Sequence, residues 1–227
     1  MGKTVSYAAL LALSAGAMIA PTAMAEEGEF SANVALTTDY VWRGVSQNSS
    51  NPAIQGGFDY AQGAFYAGTW AAIVDFGGAN MELDLYAGFA SEFANGLSWD
   101  VGVVGYMYPD TDDLDFLEVY GGLGYETAAG LGLGAYVYLD PDNESVYVEG
   151  SAGYGFTDAL SGDVSIGNYS FDGGGDYTAY SIGATYSFDV LDVDLRFWGN
   201  DIEETGVAAA DDLTEERVVL TFSKSFP

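Results

Sequence analysis

The sequence holds no cysteine and no histidine, and only five of its 227 residues are basic. Each absence removes a class of function. Without cysteine there is neither a disulfide scaffold nor a thiolate metal site. Without histidine the common imidazole ligand sets are gone, and so is any nucleophile that depends on a histidine base. Membrane-barrel proteases and phospholipases resembling known families rely on that base, so this enzyme class is disfavoured. Five bases against 34 acids give a formal charge of −29. That leaves no basic face, and no nucleic-acid partner is expected. High charge can signal disorder, but 49% hydrophobic residues and 15% aromatics argue for a folded chain.

Residues 1–25 form an address. Lys3 is a minimal basic start, Tyr7–Ala20 is apolar, and Ala23-Met24-Ala25 fits a small-residue cleavage site ahead of Glu26-Glu27. This is the pattern of a secretory signal peptide, and the run is short for a membrane span. The expected mature chain is 26–227, one domain. No later apolar run approaches the ~18 residues of a transmembrane helix.

What the mature chain has in abundance is alternation. In 30–42, Phe30, Ala32, Val34, Leu36, Thr38, Tyr40 and Trp42 share one face, and Asn33, Thr37, Asp39 and Arg43 the other. Met81, Leu83, Leu85, Ala87 and Phe89 alternate with Glu82, Asp84, Tyr86 and Gly88. A period of two means half-buried strands. Such strands are expected at 29–43, 53–60, 64–73, 81–91, 97–108, 116–126, 131–139, 145–156, 160–171, 177–188, 192–199 and 214–226. The connections alternate as well. Tight ones (61–63, 92–96, 127–130, 157–159, 189–191) take turns with mostly longer, often acidic ones (44–52, 74–80, 109–115, 140–144, 172–176, 200–213).

An even number of antiparallel strands with short and long links in turn is the pattern of an all-β, transmembrane up-and-down barrel. Short turns and both termini would face the periplasm, with longer loops outside. Aromatics give a second test. Phe30, Tyr60, Tyr66, Phe89, Trp99, Tyr125, Tyr154, Phe156, Tyr186, Phe188 and Phe226 sit on the apolar parity near one end of their strands, as an interfacial girdle would. A soluble sandwich or lipocalin-like barrel would bury the apolar face, and it predicts no such band.

The run Thr37-Thr38-Asp39-Tyr40-Val41-Trp42-Arg43-Gly44-Val45-Ser46-Gln47 resembles the N-terminal signature of the TorF-type family of outer-membrane porins. The ending Thr221-Phe222-Ser223-Lys224-Ser225-Phe226 is similar to that family's end. The likeness extends to the signal peptide, the length and the Gly/Tyr-rich strands. It implies an outer-membrane location in a Gram-negative bacterium and a porin fold, more firmly than a particular solute. One departure is Pro227, which displaces the terminal aromatic read by barrel-assembly machinery.

Charge marks the candidate site. Arg43, Arg196 and Arg217 fall on the polar parity of the first, eleventh and twelfth expected strands, which closure makes neighbours. The same parity carries Glu82, Asp84, Asp100, Glu118, Glu149 and Asp163. One reading is a constriction, with a basic cluster facing acidic walls. The other is a structural seam in which the arginines pair with Asp39, Asp194 and Glu215 on their own strands. Lumenal Tyr86, Tyr106, Tyr120, Tyr136, Tyr138 and Tyr147 could alternatively fill the interior. Two acid-rich loops (Asp110, Asp112, Asp113 and Asp115; Asp140, Asp142 and Glu144) are either solvated surface or bridges through divalent cations to lipopolysaccharide. Paired acids are too common here to point to a glycosidase. No cofactor is implied. The expectation is a passive channel for small polar solutes, cation-preferring through an acidic lumen. The alternative is a plugged barrel acting as a surface structural or adhesion protein.

Overall fold

Residues that alternate in polarity can satisfy two solvents at once only if the sheet separates them. In the computed structural model, which describes residues 28–227, the chain does this by closing on itself. The strands are β1 (Glu29–Thr37), β2 (Val41–Trp42), β3 (Val45–Ser46), β4 (Ala53–Gln62), β5 (Phe65–Phe76), β6 (Ala79–Glu92) and β7 (Leu97–Met107). They continue with β8 (Phe116–Glu126), β9 (Leu131–Asp140), β10 (Ser145–Gly155), β11 (Leu160–Phe171), β12 (Tyr177–Ser187) and β13 (Asp192–Asn200). After the short helix α1 (Ala208–Thr214), the chain ends in β14 (Arg217–Phe226). Among the described residues, twelve of these strands form one closed antiparallel barrel, in which β14 lies between β13 and β1. Closure leaves no unpaired edge. The expected signal peptide, residues 1–25, lies outside the described residues.

The even strand number brings both termini to one end, where Ala32 pairs with Phe226. The links at that end are two to four residues long, while those at the far end include 38–52 and 201–216. The outer face is apolar. Leu36, Phe58, Leu85, Val103, Val148, Ile166 and Leu195 are all exposed. Near the terminal end Phe30, Phe89, Tyr125, Tyr154, Phe156, Tyr186, Phe188 and Phe226 are exposed too. Tyr66 departs from that girdle: it is buried, because Phe65 takes the outward position of β5. Lys224 shares the outward parity of Phe222 and Phe226, as its alternation requires.

The inner face explains the glycine and tyrosine counts. Several large lumenal rings reach across a neighbouring strand with a glycine beneath them. A Cβ added at Gly88 would strike the Tyr66 hydroxyl, and one at Gly167 would strike that of Tyr147. The same holds for Tyr86 over Gly68 and Tyr120 over Gly102. Aromatic cover over strand glycines also restores packing that glycine lacks.

Three expectations need correction. The expected strand 29–43 stops at Thr37, and residues 38–52 turn inward as a loop containing the β2–β3 hairpin. The expected long link 74–80 is a two-residue turn: Gly77 and Gly78 have φ of 58° and 95°, which a type I′ hairpin turn needs at both positions. The expected strand from 214 begins only at Arg217, since α1 runs to Thr214 and Glu215-Glu216 link it to the strand.

Candidate functional site

The site is the lumen and the hairpin folded into it. Val41 pairs with Ser46 and Trp42 with Val45, so Arg43-Gly44 is the two-residue tip. Their φ values are 48° and 81°. Gly44 suits that geometry; Arg43 is a non-glycine residue in the left-handed region, which ordinarily costs about 1–2 kcal/mol. Something must hold it there, and the surroundings show what.

Arg43 is 3% exposed. Its Nη1 and Nη2 donate to Oε1 and Oε2 of Glu118 on β8, at 2.7 and 2.9 Å. The guanidinium lies 4.1 Å from the Trp42 ring centroid and 4.2 and 4.7 Å from those of Tyr147 and Tyr169. The planar fork of arginine suits both contacts, bidentate to a carboxylate and stacked on rings. Tyr106 donates its hydroxyl to the same Glu118, at 3.1 Å. A second anchor is Tyr40, whose hydroxyl donates to Glu82 at 2.7 Å; Tyr108 donates to the other oxygen of Glu82 at 2.6 Å.

The base of the hairpin is tied to the wall. Asp39 accepts from Ser46 Oγ at 2.8 Å and from Arg217 Nη1 at 2.6 Å. Asn200 Nδ2 bridges the hairpin and the 201–216 loop, donating to Gly44 O at 2.8 Å and Thr214 O at 2.9 Å. Within that loop the N–H and hydroxyl of Thr205 donate to Asp211 and hold its carboxyl below the usual range.

The arginines therefore do not form one basic cluster. Arg196 stays on its own wall, bidentate to Asp163 at 2.6 and 2.8 Å and in contact with Asp194 at 3.2 Å. Of the seam pairings expected within a strand, Arg196 with Asp194 forms. Arg217 takes Asp39 instead, and meets only the backbone oxygen of Glu215. Arg43 leaves the β1 wall altogether and reaches β8, because the hairpin carries it there. Alternation alone could not show this. One signal was available: Gly44 is an isolated glycine inside an otherwise strand-like run, which marks an interruption of the strand.

The remaining lumenal acids are placed as their parity required. Glu82, Asp84, Asp100 and Asp163 are buried on the inner face. Glu149 accepts from Tyr147 at 3.0 Å. Asp100 accepts from Tyr66 at 2.6 Å and Tyr136 at 3.2 Å. Asp59, which sequence reasoning did not single out, takes the Tyr86 hydroxyl. Tyr86, Tyr106, Tyr120 and Tyr147 are buried in the lumen; Tyr136 and Tyr138 are half-buried there. The acidic loops spend several oxygens on their own turns. Asp140 accepts from the N–H groups of Asp142 and Asn143, and Asp115 from that of Tyr108.

Comparison with known proteins agrees with this architecture. A family model described as "Bacterial protein of unknown function (Gcw_chp)" matches residues 22–226. No curated protein matches. Among solved structures, the KdgM porin is similar at TM-score 0.63 and 8% identity, over 87% of this chain and 99% of that one. The KdgM porin in complex with disordered oligogalacturonate gives 0.60 and 6%, over 88% and 99%. An outer membrane channel from Pseudomonas putida gives 0.55 and 12%, over 88% and 96%. At these identities the likeness is one of fold.

Proposed function

We propose that this chain, which belongs to the Gcw_chp family, is an outer-membrane porin-like channel for small polar solutes, cation-preferring and regulated by its inward hairpin. The observation that carries the reading is the charge inside the barrel. Asp59, Glu82, Asp84, Asp100, Glu118, Glu149, Asp163 and Asp194 line the inner wall, while Arg43 and Arg196 are the bases set among them. Both bases are ion-paired, so the surplus is acidic. Fixed carboxylates in a narrow, low-dielectric passage concentrate cations and exclude anions.

Three further features support the setting. The exposed apolar belt with its aromatic rim suits a bilayer. The likeness of residues 37–47 to the TorF-type signature points the same way. The solved KdgM porin and the Pseudomonas putida outer membrane channel share this barrel fold. Oligogalacturonate, found with the KdgM porin, is a polyanion; an acidic lumen would repel it, so this chain's solutes belong to another class. Lipid and lipopolysaccharide would contact the outer face and loops, and barrel-assembly machinery would read the Phe226 end.

Reconstitution in a planar bilayer under a KCl gradient tests this. A reversal potential on the cation side supports the mechanism. High salt should weaken it, since the Debye length falls to about 3 Å at 1 M. Anion preference would refute it. A second reading rests on the burial of Tyr66, Tyr86, Tyr106, Tyr120 and Tyr147: a plugged barrel with a structural or adhesive surface role. Absence of conductance under all conditions favours it.

A further inference from the structure

The wall beneath the hairpin contains one carboxylate unlike the rest. Around it, Glu82 takes two tyrosine hydroxyls, Glu118 takes Arg43 and Tyr106, Asp100 takes Tyr66 and Tyr136, and Asp39 takes Ser46 and Arg217. Asp84 is 4% exposed, and no side chain or backbone group donates to its buried Oδ1. Among the described residues it is the one carboxylate with a buried oxygen left so. A buried anion with neither hydrogen bond nor ion pair is costly. The neighbouring charges worsen the cost: Glu82 lies two residues away on the same face of β6, and Glu118 stands two strands along the same wall.

The flanks of Asp84 narrow what would relieve it. In the ladder its direct partners are Trp70 on β5 and Tyr106 on β7, both of inward parity. A carboxylate set between aromatic side chains suits a cation that sheds its water readily and tolerates a ring face. A divalent metal suits it poorly, since no three acids converge as a metal site among the described residues. The same wall already shows its chemistry with a cation, in the Arg43 guanidinium held by Glu118 and aromatic rings.

We propose that Asp84, between Trp70 and Tyr106, is a binding subsite for a weakly hydrated monovalent cation of the potassium or ammonium type. The proposal rests on the cation-preferring reading and names where in the lumen a permeating ion pauses. The titratable groups facing Asp84 are Glu82 and Tyr86 on β6, Tyr106 on β7 with Tyr108 just beyond it, Glu118 on β8, and Tyr40 at the foot of the hairpin. Arg43, Arg196 and Arg217 are ion-paired to other acids and Lys224 lies on the outward face of β14, so the missing positive charge must come from solution, as an ion or as a proton.

The test separates these two, and needs no conductance. Thermal unfolding of the detergent-folded full barrel is followed in KCl, RbCl and N-methylglucamine chloride at equal ionic strength. In the wild type, K⁺ and Rb⁺ should raise Tm by several degrees in a saturable way, and N-methylglucamine should not. Asp84→Asn should lose this ion-specific rise while unfolding at a Tm at least as high as the wild type without K⁺. Asp110→Asn, in an outer loop, should keep the rise. Crystals soaked in RbCl should show anomalous density at Asp84 in the wild type and none in Asp84→Asn. Equal Tm in all three salts, with a dependence on pH alone, would show that Asp84 takes a proton and would overturn the proposal. So would an ion-specific rise that survives in Asp84→Asn. Anion preference in the bilayer combined with a retained K⁺ effect would refute the channel reading and leave the site standing.

Discussion

The Arg43–Glu118 pair is the most informative place to perturb, because it joins the hairpin to the far wall. Both side chains are nearly sealed from water, at 3% and 1% exposure. Removing one partner of such a pair strands the other charge, at a cost of about 3–5 kcal/mol. Arg43→Ala leaves Glu118 with only the Tyr106 hydroxyl; Glu118→Gln leaves the guanidinium with only aromatic rings. The double variant strands neither charge. Its cost should therefore fall below the sum of the single costs by about 1–3 kcal/mol, the coupling expected of residues in contact. The turn adds an internal control. Arg43 sits at φ 48°, so Arg43→Gly should be milder than Arg43→Ala by about 1 kcal/mol, since glycine adopts that region freely. The loss acts on hairpin docking and not on the twelve ladders of the wall, so folded barrel should persist. A latch weakened by about 3 kcal/mol shifts the docked-to-released ratio by about 100-fold, at tenfold per 1.4 kcal/mol. Urea unfolding in lipid gives the cycle, and single-channel recording gives the open probability. Additive single costs would refute the pair as a latch. So would an open probability unchanged while stability falls.

Other expectations follow from the same geometry. Leu85 is 54% exposed on the outer face; Leu85→Arg should cost about 2–4 kcal/mol by lipid-reconstituted unfolding, as a midplane arginine does, and an equal cost at the inward Gln55→Arg would contradict the assigned facing. Neutralising Asp59 and Glu149 together should move the reversal potential toward zero, and an unchanged value would remove the wall carboxylates as its source. Gly167→Ala puts a methyl where the Tyr147 hydroxyl lies, so Tyr147 must shift off Arg43; the hairpin should loosen in hydrogen exchange, and unchanged protection of Arg43 and Gly44 would refute that link. Mass spectrometry of the purified protein should give a chain starting at Glu26.

The barrel wall was legible because its information is local. A strand that faces lipid on one side and a polar lumen on the other must alternate, and each residue declares its side without reference to the rest of the chain. That is why the bounds of β8, β9, β10 and β11 agree with their alternation to within a residue. It is also why Glu82, Asp84, Glu149 and Arg196 could be assigned inward from parity. The same rule fails where alternation persists but the partner strand ends. Tyr40 and Trp42 continue the period of β1, yet their rings serve the lumen: Tyr40 reaches Glu82 and Trp42 stacks on Arg43. An apolar–polar period does not state which apolar surface awaits it. Tyr66 misled for a related reason, since Phe65 and Tyr66 are adjacent aromatics and either could have pointed outward.

The pairing of charges was illegible for a different reason. Parity tells which lumenal groups share the interior but not which touch, because in a barrel most pairs lie on strands distant in sequence. Glu118 and Arg43 are 75 positions apart, and Arg217 and Asp39 are 178 apart. What brings them together is the hairpin, and the hairpin exists because Arg43-Gly44 accepts positive φ at both positions. The turn is strained at Arg43, and the strain is offset only if the guanidinium finds its carboxylate. Glu118 in turn is buried at acceptable cost only if a cation reaches it. Neither residue is stable in place alone, so the docked hairpin and the neutralised wall form together or not at all. That mutual dependence is why the hairpin is expected to dock or release as one unit, and the docked hairpin leaves the buried Oδ1 of Asp84 without a partner.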